Sequence, residues 1–595
     1  MNLIEYVGAA FSLVIAALPS KSVVRRVGVP DFLELTPKQI ETKCKAAFKR
    51  RMENMPALFD AIKQALTRQG PSSRDCSYSK AVMMKISILL AILMSLSASA
   101  AADVRLPNLF SDHMVLQCDK VIKVWGWAAP GENIKVLFAG RVAETTTDAN
   151  GDWRVELPAM KPGGPHELAV TGNKTVKVSD ILVGEVWICS GQSNMELELK
   201  WALNAQQEIK DADYPRIRML LVPRTPAGLP LNDVQARWFV CSPTNAAVAN
   251  FSAVAYFFGR EIHKAQNVPV GMIAASQGAT QIEIWTPPEG LTGVPSLQPS
   301  VAGIEAAAHS ARKKLIENLD VLEAAIPRAR AALAQGRPLP PELAMGNPLP
   351  VEGGPVLYYG MIYPLAPFAF RGALWYQGES NAFDGMSYLD KMKALIGGWR
   401  KVWQQGDFPF YFVQITPNNY DGKLPLLLEA QNASMSITNT GMAASTDTCD
   451  ARDNYGGGHP RNKQAIGRRL ALWALAKDYR QKDLVYCGPQ YQSVKAEGEK
   501  LRISFDYVGG GLVTRDHKDP DLFEIAGEDG NFVEAVAKIE GATVVISSDK
   551  VAKPTAMRFA WKDLAQPNLM NKEGLPVSVF RAAVATAGND QGLAK

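Results

Sequence analysis

The sequence predicts an α/β protein whose central domain is built on a parallel sheet and flanked on both sides by antiparallel β modules. Three observations carry this. Between about 180 and 482, short bulky apolar runs alternate with helical stretches: VWICS (186–190), VGMIAAS (270–276), GALWYQ (372–377) and FPFYFVQI (408–415) are separated by segments such as AVAYFFGREIHKAQ and YLDKMKALIGGWRKVW. Such runs suit strands buried on both faces and linked by crossover helices, which places a site at the carboxyl ends of the strands. Before them, residues 103–179 alternate apolar and polar side chains in VIKVWGWA and NIKVLFAG, with an N-G turn inside TTTDANGDWRVELP. After them, residues 483–595 return to β patterning in KLRISFDYVGGGLV and TVVISS, with D-G and G-G pairs at strand boundaries, and read as a β-sandwich-like module. An Ala-rich stretch at about 302–336 reads as a helical insertion in the central domain, followed by a Pro- and Gly-rich loop.

A chain of 595 residues exceeds one hydrophobic core, and 47% hydrophobic with 21% charged residues is an ordinary globular balance. The net charge of +5 is spread along the chain with no basic block interleaved with aromatics, so nucleic acid is not an expected partner. The seven cysteines show no CxxC or Cys/His spacing, and no metal site is expected.

The stretch MMKISILLAILMSLSASAAADV (83–104) has the lysine, apolar core and small-residue cleavage site of a secretory signal peptide, at about 84–100 within a segment 83–102. Its apolar core is too short to span a bilayer, so no stable membrane insertion is expected. Residues 1–82 precede it. Either translation starts at Met83 or Met84, the reading favoured here, or 1–82 is a true extension with basic amphipathic helices. The mature protein would then be secreted or periplasmic.

The chemistry is expected around S-G-Q-S-N at 190–194. Gly191 lets the chain turn at the strand end, and Ser193 can present its hydroxyl and its own N–H there. A serine needs an adjacent base and its oxyanion needs fixed donors. The lipase-type elbow is absent, because Met195 stands where its second glycine would be. Two further polar clusters end strands: AASQGATQIEIW, with Gly278, and GALWYQGESNA, with Gln377, Glu379 and Asn381. Only six histidines exist. His113 and His166 fall in the leading β module, His517 in the trailing one, His263 in a helix and His309 in the insertion. His459 stands on a Gly-rich loop before an amphipathic helix and is the expected base.

The blocks GEVWICSGQSNMELEL, LYYGMIYPLAPFAFRGALWYQGESNA, GGHPRNKQAIGRRLAL and PTAMRFAWKDLAQPNLMNKEGLPVSVFR closely resemble the sialate O-acetylesterase family of SGNH-type hydrolases, from about Leu106 to Arg581. The resemblance implies a flavodoxin-like three-layer α/β/α domain between N-terminal and C-terminal β domains. It implies removal of O-acetyl groups from a sugar or glycan without a cofactor. By position it makes Ser193 the nucleophile and His459 the base. The oxyanion would be held by the N–H groups of Ser193 and Gly278 with the Gln377 amide, Asn381 being the alternative donor. Two departures stand out. Gly457 occupies the position where many relatives carry the orienting acid, leaving Asp447, Asp450 and Asp453 nearby, with Asp450 ranked first and a Ser–His dyad as the alternative. Ala279 replaces a frequent second glycine.

Two other functions stay open at this level: an esterase of acetylated xylan or another plant polysaccharide, and a non-catalytic carbohydrate-binding protein. Cys189 and Cys449 fall close to the expected site in sequence, either as a disulfide or as two buried thiols.

Overall fold

A computed structural model of the protein describes residues 103–334, 337, 340, 354–449 and 458–584. The extension 1–82, the signal segment, Asp450, Asp453 and Gly457 lie outside the described residues. The fold is mixed α/β with one large mixed sheet at its centre.

Strands β1 (Val115–Gln117), β2 (Ile122–Trp127), β3 (Asn133–Phe138), β4 (Arg141–Thr146), β5 (Asp152–Leu157) and β6 (Gly163–Thr171) precede β7 (Thr175–Gly191), a strand of 17 residues. β7 changes character along its length. From Thr175 to Asp180 it alternates, pairing antiparallel with β6; from Ile181 to Gly191 every residue is buried. That change is what a strand shows when it leaves a half-solvated sheet and enters one covered on both faces. β7 thus carries the chain from the leading β region into the centre of the sheet, and its last residue abuts the site.

The central order is β13 (Thr440–Ala443), β12 (Phe410–Val413), β11 (Gly372–Tyr376), β7, β10 (Val270–Ser276), β8 (Tyr214–Leu221) and β9 (Trp238–Cys241). All pairs are parallel except β8–β9. Order reverses on either side of β7, so the loops after β7, β10 and β11 diverge from one switch point, where such sheets bind ligands.

Helices α1 (Ser193–Glu196), α2 (Ala253–Gln266), α3 (Pro299–Ala334), α4 (Ser387–Trp403), α5 (Leu424–Ala433) and α6 (Lys463–Lys477) connect these strands. Bulky buried rings fill the space between layers, among them Trp187, Trp285, Trp375, Trp399 and Trp403. α6 lies tight against α2 because Gly467 has no side chain: a Cβ there would sit 2.6 Å from that of Phe257. This contact fixes the helix that follows His459. Beyond it, the strands between Gln490 and Ala583 form small antiparallel sheets around a second core that includes Leu501, Ile503, Ile525, Ile546 and Phe559. They are tied to the central region through Asp563, whose carboxylate accepts the N–H groups of Tyr420, Gly422 and Leu424 just before and at the start of α5. Among the described residues no helix is long and apolar enough to cross a membrane.

Candidate active site

Gly191 makes the turn at the end of β7 possible. Its φ is +142°, and a Cβ would fall 2.2 Å from the Tyr376 carbonyl oxygen of the neighbouring β11. The chain then enters α1 with Ser193 as the first helical residue and Gln192 as its cap. Backbone N–H groups in a first turn have no helical acceptor, and that of Ser193 is one of them.

His459 reaches Ser193 across the loop before α6, with Nε2 2.7 Å from Oγ. The loop is held at several points. Gly458 takes φ +70°, its carbonyl accepts from Asn194 Nδ2 at 2.9 Å, Arg461 donates to the Trp201 and Ala202 carbonyls, and Asn462 caps α6 by accepting from the Ala465 N–H. His113 and His263 are engaged elsewhere, with Asp180 and with the Val268 carbonyl.

Gly278, in the loop after β10, is adjacent to the nucleophile: a Cβ on it would lie 3.3 Å from Ser193 Cβ. Its N–H donates at 2.8 Å to Glu196 Oε2, and the other oxygen of that carboxylate is gripped by Arg224. In this state a side chain occupies the expected oxyanion donor. Ala279 follows in left-handed conformation, φ +57°. The departure from glycine therefore falls where glycine is favoured sterically.

The structure does not bring Gln377 and Asn381 to the Ser193–His459 pair with a free amide hydrogen. Both are buried, and both amides are spent inside the protein. Gln377 Nε2 donates to the Thr280 carbonyl and to Asn381 Oδ1, while its oxygen accepts from Tyr388. Asn381 Nδ2 donates to Glu283 and Asp384, and its oxygen also accepts the Ile282 N–H. An NH2 group has two hydrogens, so neither amide has one left for an oxyanion. These residues hold the loops after β10 and β11 together.

Asp447 is clamped by Arg469 through two hydrogen bonds of 2.7 and 2.6 Å. Cys189 and Cys449 are both buried, and among the described residues they are not joined to each other.

Three residues that sequence reasoning left without a role converge beside the Ser–His pair. Asn194 donates to Glu379 Oε1 at 2.5 Å and to the Gly458 carbonyl, and accepts from Lys463 Nζ at 2.5 Å. Glu379 Oε2 is enclosed and, among the described residues, has no hydrogen-bond partner. Burial pushes the Glu379 carboxyl up, against the pull of Asn194, His459 and Lys463. Glu379 stood in view within Q-G-E-S-N. Lys463 had one signal, a cation at a helix N-terminus, where the dipole disfavours it.

A strand-end serine bonded to an imidazole, at the switch point of a parallel sheet, is the equipment for acyl transfer. A family model described as carbohydrate esterase, sialic acid-specific acetylesterase, matches residues 357–475. The chain is 31% identical to the sialate O-acetylesterase of Rattus norvegicus over 490 residues, covering 74% of this chain and 85% of the relative. It is 29% identical to that of Homo sapiens over 478 residues, covering 74% and 83%. The crystal structure of a carbohydrate acetylesterase from Xanthomonas citri superposes with a TM-score of 0.68 at 32% identity, covering 81% of this chain and all of that one. Fold and relatives define a carboxylic-ester hydrolase. More particularly, the chain belongs to the sialate O-acetylesterase family of carbohydrate esterases.

Proposed function

We propose that the protein is a secreted or periplasmic carbohydrate O-acetylesterase, acting on O-acetylated sialic acid or a related acetylated sugar by serine acyl transfer. In this reading the central region is an SGNH-type three-layer hydrolase domain between two β domains. The observation that carries it is the 2.7 Å contact between His459 Nε2 and Ser193 Oγ.

Ser193 attacks the acetyl carbonyl as His459 takes its proton. The oxyanion forms against the Ser193 N–H, with the Gly278 N–H joining once Glu196 turns aside. His459 then protonates the leaving sugar oxygen, and water, activated by the same imidazole, releases acetate from the acyl-enzyme. Glu379, bonded to Asn194 beside this pair, is the carboxyl group at hand.

Ser193→Ala is expected to bring acetate release from 4-nitrophenyl acetate to background and to abolish fluorophosphonate labelling. Wild-type turnover by that variant would overturn the reading. Acetate release over a panel containing O-acetylated sialic acids and acetylated xylan separates the substrates. The names of the relatives favour the former.

A further inference from the structure

Lys463 takes no part in that chemistry, yet its ammonium is one hydrogen bond from the residue after Ser193. It opens α6 and is completely buried. The position is unfavourable twice over, because a buried ammonium loses its hydration and a helix N-terminus repels a cation. A methionine would fill the same space without either cost, so packing does not explain a lysine here.

What the ammonium does is orient an amide. Nζ donates to Asn194 Oδ1 and lies over the Tyr376 ring, 5.0 Å from its centroid. With Oδ1 held there, the Asn194 NH2 faces the other way, and its hydrogens go to Glu379 Oε1 and the Gly458 carbonyl. Turning the amide over would set NH2 against the ammonium and oxygen against two acceptors. Asn194 follows the nucleophile and Gly458 precedes the imidazole, so this one amide ties the two reacting side chains together.

We propose that Lys463 is a positioning residue, whose ammonium locks the Asn194 amide and so holds the Ser193 turn and the His459 loop at reacting distance. The proposal rests on the acyl-transfer reading of Ser193 and His459. Among the described residues the groups facing Lys463 are Asn194 from α1, Tyr376 from β11 and Glu379 from the turn after β11. Burial pulls the Lys463 ammonium down to about 7, with Glu379 opposing the shift. Below that pH the ammonium can only donate; above it the neutral amine donates more weakly and can also accept from an amide NH2, so the lock loosens and wild-type kcat/KM should fall on the alkaline side.

The test is acetate release by Lys463→Met, read as kcat, KM and a pH profile. Misplacing a base by about 1 Å costs about 10²-fold in rate, so kcat should fall by about that factor. KM should stay unchanged, and the alkaline fall should disappear. In an Asn194→Ala background Lys463→Met should add no further loss, because both act through one amide. A Lys463→Met enzyme with wild-type kcat and profile overturns the proposal, as do losses that add in the double variant. Should Lys463→Met not fold, Asn194→Ala carries the test: it must abolish the alkaline fall, and a retained fall overturns the proposal. An active Ser193→Ala would defeat the acyl-transfer reading itself. An inactive Ser193→Ala beside a wild-type-like Lys463→Met would defeat only the role of Lys463.

Discussion

The ends of β7 and β11 are neighbours in the sheet, with Gly191 opposite Tyr376, and in sequence they look alike. One runs Gly191-Gln192-Ser193-Asn194, the other Gln377-Gly378-Glu379-Ser380-Asn381. Both crowd polar side chains onto a strand's carboxyl end beside a glycine. The first presents a hydroxyl to an imidazole; the second spends both of its amides on protein partners and, among the described residues, leaves a buried carboxylate oxygen of Glu379 without one. Polar density at a strand end therefore marks where a site is, but not which of its groups face the serine.

Substitutions at the two ends can break or sharpen this contrast. Gly191→Ala should have the largest effect: its Cβ would collide with the Tyr376 carbonyl at a φ that disfavours any side chain, costing about 3 kcal/mol or more. Thermal unfolding of the purified variant checks this, and an unchanged Tm would mean the two strand ends are not held that closely. Gln377→Leu should lower stability by about 2–4 kcal/mol, because it strands Thr280, Asn381 and Tyr388 without their partner. Turnover per folded molecule should stay within severalfold. A loss of roughly 10²–10³ in kcat with stability intact would restore Gln377 as an oxyanion donor.

Glu196→Gln is the smaller, opposite case. It removes a negative charge from the Gly278 N–H without changing the shape of the side chain, and kcat/KM should rise severalfold, about 1 kcal/mol. A fall instead would mean that the carboxylate organises the pocket rather than competing with the oxyanion. Ala279→Gly should be the mildest. Relief of the left-handed strain outweighs the added chain entropy by about 0.5–1 kcal/mol, visible as a small rise in Tm with kcat unchanged.

The sequence by itself determined the class of fold and pointed to the serine and histidine that the structure brings into contact. Apolar periodicity is a local record of burial, so the runs that became β7, β10, β11 and β12 were legible without coordinates. With only six histidines in the chain, elimination could reach His459. Gly191 was legible for the same kind of reason, since a sharp turn at a strand end demands it.

Tertiary structure alone decided what the remaining polar groups do. Gln377 and Asn381 lie four residues apart and pair with each other, but three of their further partners, Thr280, Ile282 and Glu283, come from a loop about a hundred positions away. Glu196 meets Gly278 across 82 positions, and Lys463 meets Asn194 across 269. A hydrogen bond satisfies a donor only at close range and in one direction, and no one-dimensional pattern encodes that encounter. The order of the residues named the groups capable of chemistry; folding chose, by using up the others, which ones remained available for it.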